Sequence, residues 1–249
     1  MDALCVVELD ISTNNLFEVK LINKKGVNMP ISEVYNMDCV DYMEGIPDNF
    51  FDLAIVDPPY GIGASEMTMG SGKNKKYKKG KGWDFAPPGD TYFMHLFRVS
   101  KNQIIWGGNY FNLPNTKSWI FWDKGIYGDC SFADGELAWT SFDKVLRVAQ
   151  IRYKGFLGMD KNRIHPTQKP ISLYHWILKN YAKSRNKILD THLGSGSSRI
   201  AAYKLGLDFY ATEIDKEYFE AQEERFRCEC FGEIKTEKGT LVQTSLFGV

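Results

Sequence analysis

Short apolar runs alternate with helical patterns along most of this chain. Seven of these runs are rich in β-branched and aromatic residues and have the length of strands. They predict strands near Glu33–Met37, Phe51–Val56, Gln103–Trp106, Ser118–Trp122, Glu136–Thr140, Lys187–Leu189 and Asp208–Thr212. Because strands alternate with helical patterns, the chain is predicted to have an α/β fold with a mostly parallel, seven-stranded sheet.

Four longer segments have apolar residues at helical spacing. The predicted helices are Thr91–Ser100, Ile171–Lys183, Ser197–Leu205 and Lys216–Cys230. Asp90 is a suitable N-cap for the first, and Pro170 suits the first turn of the second, where a missing N–H costs nothing. No helical pattern separates the strands near Ser118 and Glu136, which predicts an antiparallel pair at one edge of the sheet.

A chain of 249 residues can bury one full hydrophobic core. We predict a single domain over residues 31–230, with residues 1–30 and 231–249 as peripheral extensions. Residues 61–85 are rich in Gly and Lys and have no apolar period, and residues 154–168 are also aperiodic. Both segments are predicted to be long loops, which in compact domains are usually functional or disordered.

Charge, cysteine content and hydropathy bear on which partners, metal sites and cellular compartment are expected for this protein. Basic and acidic residues both number 31, so attraction to a polyanion must come from local clustering. The five cysteines include Cys228 and Cys230, whose spacing is not that of a zinc pair, and the histidines are scattered, so no metal site is expected. No run of eighteen apolar residues and no basic flank before an apolar start occur. We therefore expect reduced thiols and a cytoplasmic protein, without a membrane partner.

The tetrapeptide Asp57-Pro58-Pro59-Tyr60 directly follows the predicted strand Phe51–Val56. The two prolines lack N–H donors and fix φ, so sheet pairing stops there. A carboxylate and an aromatic ring are therefore expected at the carboxyl end of a strand, where open α/β folds bind ligands. A tight turn with two prolines is the purely structural interpretation, but chance gives this tetrapeptide in only about one chain in a thousand of this length.

These groups suit methylation of an amino group on a nucleic-acid base. The exocyclic amine of adenine is a poor nucleophile because its lone pair is delocalised into the ring. Asp57 and the carbonyl of Pro58 can each accept one N–H, and the carboxylate stabilises positive charge that develops on the nitrogen. Tyr60 offers a stacking face to a base flipped out of the duplex, which is worth ~1–3 kcal/mol.

A second group of residues follows the predicted strand Lys187–Leu189. Asp190 precedes the run Gly194-Ser195-Gly196-Ser197 and a helical pattern, and such glycines let the backbone approach a ligand closely. About 20 residues later Glu213 ends a strand, where an acid accepts ribose hydroxyls in nucleotide-binding folds. Asp38 either accepts from a cofactor's adenine amine, with the Cys39 N–H facing a ring nitrogen, or caps a helix.

With these pieces in one order, the chain resembles the DNA amino-methyltransferases of the β arrangement, in which the catalytic tetrapeptide precedes the cofactor loop. The resemblance covers residues 31–228 and implies a Rossmann-like fold that uses S-adenosylmethionine and releases S-adenosylhomocysteine. It rests on Asn36-Met37-Asp38-Cys39, Asp57-Pro58-Pro59-Tyr60, His165-Pro166-Thr167-Gln168-Lys169-Pro170 and Glu213-Ile214-Asp215. Lys169 would lie near the methionine carboxylate of the cofactor.

The resemblance implies roles for individual residues. Asp57, Pro58, Pro59 and Tyr60 would be catalytic. The residues expected to bind the cofactor are Asp38, Cys39, Asp57, His165, Thr167, Gln168, Lys169, Asp190, His192, Gly194, Ser195, Gly196, Ser197, Glu213 and Ile214.

One departure from the pattern of that family and one further similarity to some of its members refine the resemblance. Thr191 and His192 replace the usual Pro-Phe before the glycine loop, which puts the cofactor affinity of the loop in question while leaving its fold in place. The segments Gln103–Tyr110 and Glu136–Thr140 are similar to those of phage-encoded members. This similarity points to origin rather than mechanism.

Basic residues near the catalytic motif suggest how nucleic acid is held. The loop 61–85 carries Lys73, Lys75, Lys76, Lys78, Lys79 and Lys81. It is either a solvated face or a segment that follows the phosphate backbone, which positions DNA without reading sequence. By resemblance, a short target-recognition segment falls within residues 141–165, where Arg152 and Lys154 are available.

The leading hypothesis is methylation of adenine N6 in double-stranded DNA with a flipped target base, because Asp at the first motif position is typical of the adenine enzymes. Cytosine N4 has the same amine chemistry and is the first alternative. A methyltransferase-like binding subunit without activity is another, and RNA as substrate and a homodimeric assembly both stay open. The host would be a bacterial or phage-infected cell.

Overall fold

The structure is a computed structural model that describes residues 6–8, 20–22, 29–63, 84, 86–126, 133–153, 163–236 and 239–242. Its centre is an eight-stranded sheet with helices on both faces. Two short antiparallel strand pairs lie outside this sheet, one near each end of the chain.

Twelve strands occur in the described residues. In chain order they are β1 (Val6–Glu8), β2 (Lys20–Ile22), β3 (Ser32–Tyr35), β4 (Leu53–Val56), β5 (Gln103–Trp106), β6 (Trp119–Asp123), β7 (Gly135–Thr140), β8 (Arg147–Gln150), β9 (Lys187–Asp190), β10 (Asp208–Thr212), β11 (Glu233–Thr236) and β12 (Gly239–Val242). The central sheet has the order β3-β10-β9-β4-β5-β7-β6-β8.

The first five strands of that order are parallel, and β7 is the reversed strand. It pairs antiparallel with both β5 and β6, whereas β6 pairs parallel with β8. Consequently the carboxyl ends of β3, β10, β9, β4, β5, β6 and β8 lie at one edge of the sheet, and β7 begins at that same edge. Most of the functional residues discussed below lie along it.

Five helices cover the sheet. They are α1 (Cys39–Glu44), α2 (Asp90–Val99), α3 (Ile171–Tyr181), α4 (Ser197–Lys204) and α5 (Lys216–Phe231). Apolar residues of α1 and α2 pack on one face of the sheet, and those of α3 and α4 pack on the other. Helix α5 packs beside α4.

Strand β4 shows why its sequence forms a central strand. All four of its residues are buried. Leu53 and Ile55 belong to the core under α3 and α4, whereas Ala54 and Val56 belong to the core under α1 and α2. A strand covered on both faces needs apolar side chains at every position, which is why the run is continuous rather than alternating.

The predicted α/β fold with a mostly parallel sheet is confirmed, and the predicted number of strands is one too few. Strand β8 lies within the segment assigned to target recognition, and only Ala149 of its four residues is buried, so its sequence lacks an apolar run. The predicted antiparallel pair β6–β7 is present, but it does not form the edge of the sheet, because β8 lies outside β6.

Differences at helix ends are small. Helix α2 begins at Asp90, so Gly89 takes the N-cap position that was predicted for Asp90, and Pro170 is the N-cap of α3. Helix α1, only six residues long, was predicted only through the alternative in which Asp38 caps a helix. No helix among the described residues is long and apolar enough to cross a membrane.

Candidate active site

The described motif residues meet where the connections of the sheet change direction. From β4 the chain crosses through α2 to β5 on one side, and from β9 it crosses through α4 to β10 on the other. Asp57 follows β4 and Asp190 ends β9, so both flank this switch point. Open α/β sheets bind their ligands in the crevice at such a position.

Asp57 is held by two neighbours. Lys169 Nζ lies 2.5 Å from Asp57 Oδ2, and the hydroxyl of Tyr60 donates to Asp57 Oδ1 at 2.5 Å. Lys169 is only 4% exposed, and its ammonium lies 5.1 Å from the centre of the Trp106 ring. Each carboxylate oxygen keeps a further lone pair, so Asp57 can still accept from an incoming amine.

Lys169 also contacts a second carboxylate. Its Nζ lies 3.1 Å from Glu136 Oε2, and Glu136 Oε1 lies 2.7 Å from Lys124 Nζ. Burial alone would lower the pKa of Lys169, but the charges of Asp57 and Glu136 outweigh burial and raise it. Lys169 is therefore a charged ammonium inside the site. Its predicted contact with a cofactor carboxylate stays a prediction.

The ring of Tyr60 packs against a second tyrosine and a glycine. Tyr110 stacks on it with ring centres 5.0 Å apart and planes 11° apart, and Tyr110 is 49% exposed. Gly107 also lies against this ring: it has φ +64°, and a Cβ there would come within 2.3 Å of the Tyr60 ring. Only glycine allows this approach and this backbone conformation together.

Helix α5 holds the glycine loop, residues 194–197, by hydrogen bonds. Gly194 and Gly196 have positive φ, and Gly196 is the N-cap of α4. The buried Arg225 of α5 donates through Nη1 to the Ser195 carbonyl at 2.7 Å and to Ser197 Oγ at 2.8 Å. These bonds fix the backbone of the loop at Ser195 and Ser197 to helix α5.

Glu213 connects the glycine loop to the start of α5. Its Oε2 accepts the backbone N–H of Gly194 at 2.8 Å, and its Oε1 accepts that of Asp215 at 2.9 Å. Asn36 Nδ2 donates to the carbonyls of Glu213 and Ile214. These bonds bring three of the predicted cofactor segments together, and Ile214 remains 66% exposed beside them.

Asp38 has the structural role that the sequence left open. Its carboxylate accepts the backbone N–H groups of Val40 and Asp41, so it is the N-cap of α1. The neighbouring thiol of Cys39 is largely withdrawn from water, and burial raises its pKa to about 12. A contact of either residue with a cofactor adenine stays a prediction.

The segment before α3 packs against the glycine loop. The imidazole of His165 lies beside Gly194 and contacts the ring of Tyr218, with ring centres 4.4 Å apart. Thr167 Oγ1 lies 3.2 Å from His165 Nδ1, and Gln168 is buried, with its Oε1 accepting the Ile164 N–H. Lys169 directly follows these packed residues, so its backbone position is fixed by them.

Two titratable groups lie at the end of β9, the buried Asp190 and the partly buried His192. Burial raises the pKa of Asp190 to about 7, although its carboxylate accepts from Ser198 Oγ and from the His192 N–H. Burial lowers the pKa of His192 to about 4. Thr191 Oγ1 contacts His192 Nδ1 at 2.9 Å and the Tyr92 hydroxyl at 2.7 Å, so polar contacts occupy the position at which the resemblance implies Pro-Phe.

Comparison with known proteins identifies the relatives of this chain. Residues 105–224 match the family model described as DNA methylase. Type II methyltransferase M.HpaI of Haemophilus parainfluenzae is 26% identical, over 78% of this chain and 74% of its own length. Type II methyltransferase M1.MboII of Moraxella bovis is 21% identical, over 76% and 94%. The chain is therefore similar to DNA methylases over residues 105–224 and to type II methyltransferases over about three quarters of its length.

Solved structures of such methyltransferases share this fold. The PvuII DNA methyltransferase, which is cytosine-N4-specific, aligns with a TM-score of 0.52 at 13% identity over 80% of this chain and 87% of its own. The complex of M1.HpyAVI with S-adenosylmethionine aligns with a TM-score of 0.50 at 20% identity over 78% and 98%. The Rossmann-like methyltransferase fold is therefore shown.

The structure describes only part of the predicted DNA-binding residues. Lys73, Lys75, Lys76, Lys78, Lys79, Lys81 and Lys154 lie outside the described residues. Arg152 follows β8 and is exposed at the edge of the sheet that carries Asp57. Among the residues that the structure describes, no group of His, Cys, Asp or Glu could hold a metal ion.

Several residues at the site were missed from the sequence. Lys124 and Arg225 carry no motif, and Tyr110 and Glu136 lie in segments to which only an origin was assigned. They reach the site through the end of β6, the helix α5, the turn after β5 and the reversed strand β7. A glycine pair, Gly107-Gly108, was the one signal in the sequence. It marks a close approach of backbone to an aromatic ring.

Replacing His192 by Phe should remove an acid-dependent loss of stability. The pKa of His192 falls from its ordinary 6.5 to about 4 in the folded state. Below about pH 6.5 the unfolded chain binds a proton that the folded chain excludes, so the free energy of unfolding falls as the pH drops towards 4. The stability advantage of His192→Phe should grow over this window by up to about 3 kcal/mol.

Urea unfolding of wild type and His192→Phe at several pH values measures this difference. Asp190 has the opposite dependence, because its raised pKa makes the folded chain bind the extra proton between about pH 4 and 7. That contribution is common to both proteins and cancels in the comparison. A difference in unfolding free energy that does not change with pH would contradict a buried neutral His192.

Proposed function

We propose that this protein is an S-adenosylmethionine-dependent methyltransferase of adenine N6 in DNA. The observation that carries the proposal is the placement of the Asp57 carboxylate beside the Tyr60 ring, at the switch point of a methyltransferase fold. A hydrogen-bond acceptor and a stacking face are the two groups that an extruded amino base requires.

Asp57 and Pro58 act on the amine. Asp57 Oδ1 and the Pro58 carbonyl each accept one N–H, which draws the nitrogen lone pair out of conjugation. During transfer a nitrogen–carbon bond forms while the carbon–sulfur bond breaks, with its electron pair left on sulfur. The nitrogen then releases one proton to Asp57, whose carboxylate is already positioned by Lys169. Such preorganised electrostatics is usually the largest contribution to catalysis.

The residues of the cofactor half fit S-adenosylmethionine. The preformed loop of Gly194 and Gly196 lets a ligand approach the backbone, and Glu213 projects from the neighbouring strand end as an acceptor for ribose hydroxyls. Ile214, exposed at 66%, offers an apolar face for a purine. When bound, this cofactor supplies an electrophilic methyl group.

The choice of adenine over cytosine rests on Asp at the first position of the tetrapeptide. The fold itself does not discriminate, since the cytosine-N4-specific PvuII enzyme shares it. Cytosine N4 presents the same amine to the same acceptors and is the second candidate. We place the protein in the cytoplasm of a bacterial or phage-infected cell, with double-stranded DNA as its substrate.

Methyl transfer from labelled S-adenosylmethionine to DNA tests the proposal. We expect wild type to label DNA and Asp57→Ala to lose at least 100-fold in rate, about 3 kcal/mol or more, while cofactor binding persists. Digestion to nucleosides and mass analysis should give N6-methyladenine.

Other results would redirect the assignment. N4-methylcytosine as the sole product would support the cytosine enzyme and reject the adenine proposal. Cofactor binding without transfer to any nucleic acid would identify a binding subunit. Full activity of Asp57→Ala would reject the assigned role of Asp57.

Tyr110 is proposed as the second stacking face for the target base. In the structure it covers the open side of Tyr60 in a parallel stack. A flat base that enters beside Asp57 must separate these two rings, and it then lies between them. The exposed position of Tyr110 on the turn after β5 leaves room for this movement.

Tyr110→Ala should therefore weaken the use of DNA. Loss of one stacking face of ~1–3 kcal/mol corresponds to a roughly 5- to 150-fold drop in kcat/KM for DNA. Tyr110→Phe keeps the ring and should stay close to wild type, which makes it the matched control. Equal activity of Tyr110→Ala and wild type would show that Tyr110 does not stack on the base.

The segment after the catalytic motif begins and ends beside it. Asp84 Oδ1 accepts the Gly61 N–H at 2.9 Å, and the Asp84 carbonyl accepts the Gly63 N–H at 3.2 Å. The lysines from Lys73 to Lys81 thus belong to a segment whose two ends are joined next to Tyr60. We propose that they contact phosphates, together with Lys154 and with Arg152, which lies at the edge of the sheet that carries Asp57.

Alanine at the six lysines should weaken DNA binding and flatten its dependence on salt. Each lost phosphate contact lowers the slope of log Kd against log salt concentration by about 0.9 for duplex DNA. Titrations of wild type and the six-alanine variant at several salt concentrations measure the slope, with cofactor affinity as the control for folding. An unchanged slope would show that the segment is simply solvated.

A further inference from the structure

Four charged side chains form a continuous row at the site. Asp57, Lys169, Glu136 and Lys124 contact one another in that order, with nitrogen–oxygen distances of 2.5, 3.1 and 2.7 Å. The first two come from the sequence motifs. The other two are brought there because the reversed strand β7 begins where β6 ends.

The row is electrically neutral as a whole. Two carboxylates and two ammonium groups sum to zero. Burial acts to raise the pKa of Glu136, but the charges of Lys169 and Lys124 outweigh burial and lower it, so Glu136 is ionised. Other titratable groups that face the row are Tyr60, Tyr174 of α3 and Asp190 of β9.

We propose that Glu136 is a positioning residue for methyl transfer, which balances the charge of Lys169 so that the region around Asp57 stays neutral. This inference rests on the proposed function. Without Glu136, Lys169 and Lys124 would face a single carboxylate, and the site would carry one net positive charge.

That charge would oppose the reaction in two ways. The methyl donor carries a permanent positive charge on sulfur, and positive charge develops on the amine nitrogen during transfer. In addition, Lys169 would have Asp57 as its sole remaining carboxylate partner, so it would attract that carboxylate more strongly. In a buried site such charge interactions are only weakly screened.

Changing Glu136→Gln should lower kcat roughly 10- to 50-fold, the size of an unbalanced unit charge several ångströms away in a protein interior. KM for DNA should change little. Glu136→Asp keeps the charge and should recover most of the rate. Lys124→Met alone gives the row one net negative charge, which does not oppose positive charge on the amine, so its rate should not fall as that of Glu136→Gln does.

The double variant Glu136→Gln with Lys124→Met separates charge balance from structural damage. It restores a net charge of zero and should be at least threefold faster than Glu136→Gln alone. If Glu136 were merely structural, removing a second side chain would make the enzyme equally slow or slower. The double variant and the singles together form a mutant cycle that isolates the coupling.

Binding provides a readout independent of turnover. S-adenosylhomocysteine lacks the charge on sulfur, so Glu136→Gln should weaken the binding of S-adenosylmethionine more than the binding of S-adenosylhomocysteine. In calorimetric titrations the affinity for S-adenosylmethionine relative to that for S-adenosylhomocysteine should fall several-fold. Asp143→Asn is the matched control, because it makes the same type of change in an ion pair with Lys117 whose side chains are 88% and 72% exposed. It should leave rate and ratio unchanged.

The outcomes separate the two proposals. Absence of methyl transfer by wild type would reject the proposed function. An active wild type with Glu136→Gln equal to Asp143→Asn in rate and affinity ratio would overturn the role of Glu136. A double variant no faster than Glu136→Gln would overturn charge balance as its cause. If Glu136→Gln does not fold, a Glu136→Asp rate at least tenfold below wild type would overturn the proposal, and near wild-type kinetics would support it.

Discussion

The buried contact between Lys169 and Asp57 is the constraint around which the site is built. Placing an ammonium and a carboxylate out of water costs several kcal/mol for each ion, and one contact between them offsets this only with further partners. Here Glu136, Tyr60 and the Trp106 ring provide those partners. Because Lys169 joins the start of α3 to the end of β4, the ion pair also fixes two elements far apart in sequence.

The cofactor half depends on a different kind of support. Glu213 and Arg225 hold the glycine loop through its backbone, and Asn36 ties the loop after β3 to the end of β10. Most of these bonds use main-chain groups that would otherwise be unpaired at strand and helix ends. The same side chains therefore complete the fold and shape the crevice, which is where the cofactor is predicted to bind.

Local pattern was enough for the fold class and for the motif residues. Apolar strands of four to six residues, the double proline and the glycine loop are each encoded by adjacent positions, so sequence predicted where they lie. The exposed strand β8 was missed, and the short helix α1 was foreseen only through its possible cap Asp38, because neither buries enough side chains to leave a periodic signal. The polar Thr191 and His192 were recognised as a departure, but their buried contacts with Tyr92 were not predictable.

The sequence by itself determined the chemistry available, which is a carboxylate and an aromatic ring after one strand and a glycine loop after another. Tertiary structure decided what surrounds them. The reversal of β7 sets Glu136 beside Lys169, the end of β6 adds Lys124, and the turn after β5 lays Tyr110 on Tyr60. These neighbours are separated by dozens of residues, and their contacts follow from the order and direction of strands, which no local pattern records.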